Sequence, residues 1–214
     1  MPAATLENFA GRLIRPDDAE YDAARIVWNA MADKRPALIA RCAGADDVIS
    51  ALRFAREHEL VVAVRGGGHS VAGFGTCDGG IVIDLSGMRG LTIDPERRVA
   101  HVEGGAHLSQ LDREAQSLGL ACPVGVVGHT GVAGLTLGGG YGYLARMHGM
   151  VVSRVADRLG RCDAVEASER TAACDGGDRL SRGHYLDRPV AVKGDRQIGA
   201  FGAHVSNIQV ELFR

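Results

Sequence analysis

Glycine is the residue that most restricts what this chain can fold into. The 214-residue sequence contains 30 glycines, where average usage near 7% would give roughly 15. The excess is gathered into two segments. One is Arg65-Gly66-Gly67-Gly68-His69-Ser70; the other runs over residues 123–142, with glycine at 125, 128, 131, 134, 138, 139, 140 and 142. Such runs demand tight turns or a backbone that lies against something large, because only glycine lets main chain and ligand, or two main chains, approach without a Cβ between them.

The first segment follows a short β-branched run, residues 61–64, that reads as a buried strand. Three glycines after a strand allow successive peptide N–H groups to form an anion-binding nest for a phosphate or pyrophosphate, and Arg65 can add charge. A plain tight turn is the alternative. On the nest reading, a β-branched residue at Gly67 would block the approach of a phosphate. In the second segment, Gly131, Gly134 and Gly138 are spaced by three and four, so one helical turn would carry a bare face that suits either a ring system or a second backbone.

Familiar nucleotide fingerprints fit poorly. The G-x-G-x-x-G pattern fails at the first loop, where Val71 stands in place of the last glycine. Gly140-x-Gly142-x-x-Ala145 matches the relaxed form but lacks a preceding long strand, and no G-x-x-x-x-G-K-[ST] loop is present.

Around these segments the pattern predicts an α+β fold. A short helix is expected over residues 21–31, with Ile26, Val27 and Trp28 packing onto the body. Strands are expected at 37–40, 61–64, 81–85, 91–93 and 99–102, and helices over 45–58 and 108–118. Residues 1–35 read as an irregular lead-in with one short helix, and 36–214 as the main domain. Within it, 154–196 is atypical, rich in Arg and Asp and poor in large apolar residues.

A formal net charge of −2 argues against a nucleic-acid partner. No apolar run approaches the ~18 residues of a membrane span, and the opening residues lack a secretory layout, so a cytoplasmic protein without a membrane partner is expected. Five cysteines without a C-x-x-C spacing indicate neither a zinc site nor a disulfide framework, and no metal site is expected.

Residues 21–84, with RPALIARCAGADDVISALRFAREHEL and RGGGHSVAGFGTCDGGIVIDLSGM, together with ACPVGVVGHTGVAGLTLGGGYGYLARMHGM, resemble the FAD-linked oxidases related to berberine bridge enzyme. Their flavin domain is of the p-cresol methylhydroxylase or vanillyl-alcohol oxidase type. The resemblance implies two α+β subdomains with FAD extended between them. It implies cofactor contacts from Arg65, Gly66, Gly67, Gly68, His69, Ser70, Gly125, Thr130, Gly131, Gly134, Gly139 and Gly140, with His69 bonded covalently to the flavin's 8α-methyl group. A second, cysteinyl link in many relatives would fall at Val127 here, which leaves the histidyl bond alone; Cys122 reads as a small packed thiol. His129 and Thr130 flank the glycine face as candidate donors, and Tyr141 and Tyr143 as ring contacts.

The implied activity is transfer of hydride from a small organic substrate to covalently bound FAD, with oxygen as acceptor; a non-catalytic flavin-binding remnant is the alternative. The family's substrate domain is absent from the 214 residues, so no catalytic base is assigned. Over 154–188 the resemblance nearly vanishes, and residues 205–213 match the family's closing strand only loosely.

Overall fold

The computed structural model describes residues 6–155 and 207–213. Two lobes, each a sheet with helices on it, make the expected α+β fold.

The first lobe carries a four-stranded sheet in the order β1-β2-β4-β3, built from β1 (Arg12–Ile14), β2 (Leu38–Arg41), β3 (Val62–Arg65) and β4 (Ile81–Asp84). β2, β4 and β3 run parallel, and β1 adds antiparallel at the edge. β4 lies between two parallel neighbours with both faces covered, and its unbroken Ile81-Val82-Ile83 run is fully buried. Ile81 and Ile83 pack with Val48, Ala51, Leu52 and Phe54 of α2 (Ala45–Glu57), while Val82 faces Ile14, Tyr21 and Ile39 on the opposite side. Asp47, in the first turn of α2, is buried and accepts from the Ala10 and Ala43 amides at 2.7 Å each. It ties the chain before β1 to the entrance of that helix.

The helix expected over 21–31 is short: α1 spans Tyr21–Arg25. At Ile26 the backbone becomes extended, and the Trp28 amide donates to the Gly68 carbonyl at 3.0 Å, drawing the chain onto the first glycine loop. Of the three residues expected to pack, Val27 is buried, but Ile26 and Trp28 are 67% and 59% exposed. β1 falls within the stretch read as a lead-in and joins it to the sheet.

The second lobe has an antiparallel sheet, β5-β6-β7, from β5 (Leu91–Asp94), β6 (Val99–Glu103) and β7 (Asn207–Glu211). Two helices cover it, α3 (Leu108–Ser117) and α4 (Val132–Leu137). Leu108, Leu111, Ala115 and Val132 are fully buried against Ala100, Val102 and Val210. The loosely matching end of the sequence thus supplies the third strand, paired residue for residue with β6 from Val99↔Glu211 to Glu103↔Asn207. α5 (Ala145–His148) and a 3₁₀ turn (Val151–Arg154) follow the glycine-rich run. Residues 156–196 of the atypical stretch lie outside the described residues. Among the described residues no helix is long and apolar enough to cross a membrane.

Candidate functional site: two glycine loops and a histidine cluster

The first glycine loop leaves the C-terminal end of β3, the edge at which open parallel sheets usually receive ligands. Register places Arg41 of β2, Asp84 of β4 and Arg65 of β3 side by side at that edge. The Asp84 carboxylate, fully buried, accepts from Arg65 at 2.9 Å, from Arg41 at 3.1 Å and from the Ser86 amide at 3.1 Å. Burial alone would raise its pKa, but the Arg65 charge and these hydrogen bonds outweigh it and hold the carboxyl below the ordinary aspartate value. The Arg65 guanidinium is therefore directed beneath the loop, onto Asp84, and its charge supports the loop from below.

Above this pair, the amides of Gly66, Gly67, Gly68, His69 and Ser70 donate to no acceptor among the described residues. Gly68 has a φ of +69°, a conformation that favours glycine, and its carbonyl is taken by Trp28. The Ser70 side chain accepts from the Phe74 amide at 3.2 Å and closes the loop's far end. Half-buried amides without a protein partner are unusual, and a succession of them can receive an anion.

The second glycine segment is laid along the start of α3. The Ser109 amide donates to Gly128 at 2.8 Å, Leu108 to Thr130 at 2.9 Å, and Val132 to Ala106 at 2.9 Å, so Thr130 and Gly131 are fixed by their main chain. Here the two loops meet. A Cβ built on Gly67 would collide with the Gly131 nitrogen and lie 2.7 Å from its Cα; one on Gly66 would lie 2.6 Å from the Gly104 carbonyl. The absence of a side chain at Gly67 is thus demanded by the opposite backbone, and the physical ground for the Gly67 expectation changes from phosphate approach to contact between the lobes.

Four further glycines of the second segment divide in two. Gly125 faces Leu135 and Leu108, Gly139 faces Met150, and Gly140 faces Val151, so these fit protein side chains. Gly134, in the body of α4, is exposed, and a Cβ there would meet no described residue within 4 Å. The bare helical face is therefore real at Gly134, whereas Gly131 is covered by the first loop.

His69 stands at this junction. Its ring stacks on Trp28, with centroids 5.2 Å apart and planes inclined by 21°, and meets the His129 ring edge-on at 4.5 Å and 61°. Burial, then the neighbouring charges of His129 and His107, push the His69 pKa below the ordinary histidine value. Among the described residues no three His, Cys, Asp or Glu side chains are placed to hold a metal ion.

Trp28, His107 and Asp84 were not singled out by sequence reasoning. The sequence marks Trp28 only as a packing residue, and no motif marks the other two; the parallel register that brings Asp84 to Arg65 is the signal that finds it. Tyr141 and Tyr143 are 79% and 89% exposed. Cys122 is buried in the second lobe's core, its thiol directed to the Glu211 carbonyl and its pKa pushed up to about 12 by burial and the nearby Asp112. Val127, at the other position considered for a second link, is 43% exposed.

The family model of the FAD binding domain matches residues 36–158. (R)-6-hydroxynicotine oxidase of Paenarthrobacter nicotinovorans is 39% identical over 152 residues, covering 71% of this chain and 33% of that protein. The crystal structure of 6-hydroxy-D-nicotine oxidase from Arthrobacter nicotinovorans superposes with a TM-score of 0.75 at 28% identity, over 99% of this chain and 44% of that one. Glucooligosaccharide oxidase from Acremonium strictum, described with a 6-S-cysteinyl, 8α-N1-histidyl FAD, superposes at 0.63 with 30% identity, over 68% of this chain and 31% of its own. The chain spans about a third of the length of the curated relatives it matches, 36% of one and 33% of another.

Proposed function

Because the chain belongs to the FAD binding domain family, with the two-subdomain flavin-binding fold of the p-cresol methylhydroxylase type, we propose that it holds FAD across the junction of its two glycine loops and serves an FAD-linked oxidoreductase. The observation that carries this reading is the run of amides from Gly66 to Ser70 without an acceptor among the described residues, set beside the loop contact at Gly67 and Gly131. An anionic diphosphate fits those donors, and the residues present fit the cofactor.

When bound, the flavin would supply the redox chemistry, taking hydride from a small organic substrate and giving its electrons to oxygen. The chain's own residues do the holding. The amides of residues 66–70 would receive the phosphates. Arg65, neutralised by Asp84, would keep the strand end from which the loop springs in place. Gly134 would leave one side of α4 clear for a flat ring, and Thr130 would border that side.

His69 would carry the cofactor covalently. Its depressed pKa keeps a ring nitrogen unprotonated near neutral pH, as a nucleophile requires, and a histidyl link is named for the glucooligosaccharide oxidase. No cysteinyl link is proposed, since Cys122 is sealed in the core and residue 127 is valine.

The test is the visible spectrum of purified protein before and after acid precipitation. Colour retained in the pellet, and released by His69→Ala, is the expected result; complete release of FAD from the parent overturns the covalent assignment. A colourless protein that refuses added FAD overturns the cofactor itself. A non-catalytic flavin-binding role is the second reading, and turnover with release of hydrogen peroxide separates the two.

A further inference from the structure

The ring contacts at the loop junction assign a role to a residue outside the cofactor-holding set. We propose that His129 is a positioning residue for His69, fixing the plane of its imidazole from the second lobe while Trp28 fixes it from the first. This rests on the reading of His69 as the flavin-bearing residue.

The geometry is that of a clamp. Trp28 lies against one face of the His69 ring, nearly parallel at 5.2 Å, and His129 approaches edge-on at 4.5 Å, an arrangement that aromatic rings favour. Both jaws are held by main chain. The Trp28 amide is bonded to Gly68, next to His69 itself, and the carbonyl of Val127 receives the Thr130 amide at 3.0 Å, closing the turn that presents His129. A ring held on a face and an edge cannot turn freely about its χ2 bond, so its two nitrogens keep fixed directions.

His129 also bears on the proton. The charged or titratable groups acting on His69 are His129 and His107, both imidazoles, and Arg89 acts in turn on His107. Among the described residues no carboxylate contributes. Burial is the larger opponent of a positive charge on His69, and the neighbouring His129 and His107 imidazoles add to it. The orienting contact and the electrostatic one come from the same side chain, and substitution can part them: phenylalanine keeps a ring edge without the charge, and alanine removes both.

The experiment uses ¹H–¹⁵N NMR of the imidazoles in flavin-free protein, with the rate of covalent flavin incorporation on adding FAD as a second measurement. In His129→Phe the His69 titration midpoint should rise towards the ordinary histidine value while the contacts of its ring with Trp28 persist. Incorporation should then be retained above neutral pH and lost at a higher pH than in the parent as the solution is acidified. In His129→Ala the His69–Trp28 contacts should weaken, and incorporation should slow at all pH values by on the order of a hundredfold, as when a reacting group is misplaced. A His69 titration and ring environment unchanged in both variants would overturn the proposal. If the parent never attaches FAD, the covalent reading fails alone, and the NMR measurements still decide whether His129 positions His69.

Discussion

The two glycine segments look alike in sequence and are held in different ways. The first, residues 66–70, stands on a buried ion pair, Arg65 with Asp84, and its amides have no acceptor among the described residues. The second spends its main chain on α3 and lays Gly125, Gly139 and Gly140 against Leu135, Met150 and Val151, leaving Gly134 open. Glycine in the first segment answers to a neighbouring backbone and, by our proposal, to an anion. In the second it answers to side chains at Gly125, Gly128, Gly139 and Gly140, to backbone at Gly131, Gly138 and Gly142, and to no described neighbour at Gly134. A glycine cluster is thus several requirements at once, and only the neighbour that a Cβ would meet tells them apart.

The sharpest way to break this contrast is to remove the support under the first loop. Asp84→Asn would leave the Arg65 guanidinium buried without its counter-charge, and a loss of about 3–5 kcal/mol in denaturant unfolding is expected. The pH dependence has a definite sign. The folded-state pKa of Asp84 is depressed, so its contribution is fully present above the ordinary aspartate pKa and is lost as pH falls below roughly 4 towards the folded value. The variant should lack that part of the acid transition. A parent and variant with superimposable stability from pH 7 to 3 would show that the ion pair does not anchor the loop.

Next in size is the contact between loops. Gly67→Ala forces a methyl group into the Gly131 backbone, and about 1–3 kcal/mol of destabilisation is expected in flavin-free protein, where no phosphate is present to be blocked. An apo stability equal to the parent's would return the requirement at Gly67 to the ligand.

Gly134→Ala should act in the opposite direction. Its Cβ enters open space in a helix, so apo protein should gain about 0.5–1 kcal/mol while flavin uptake weakens. Titration with FAD, followed by flavin fluorescence, checks the second half. Unchanged uptake would remove α4 from the cofactor's surroundings.

The smallest effect comes from the histidines. His69 and His107 both have depressed pKa values, so the unfolded chain binds protons that the folded one resists, and stability should fall modestly as pH drops below about 6.5. His69→Ala should remove part of that slope between pH 7 and 5 in flavin-free protein, as measured by thermal unfolding.

Much of the architecture was legible. The apolar run at β4, the helical spacing of α2 and α3 and the turn residues between strands report local demands, and those elements lie within a residue or two of expectation. β1 was not legible, since three residues with one buried side chain, Ile14, carry no period and form a strand only because β2 offers an edge. α1 is shorter than its periodicity suggests for a related reason: Gly68, 40 residues further on, takes the Trp28 amide and draws the chain out of its helix.

By itself, then, the sequence determined the α+β character, the two glycine loops, the candidate histidine and, through motifs that resemble a known family, the expectation of a flavin. These depend on residue types at short spacing, where propensity and sterics act along the chain. Only the tertiary structure decided that Arg65 turns to Asp84, that Gly67 abuts Gly131, that Gly134 stays open, and that Trp28 and His129 close on His69 from different lobes. All but the openness of Gly134 are meetings of residues far apart in sequence. What forbids a side chain or shifts a proton there is the atom that folding brings alongside, which no local pattern contains.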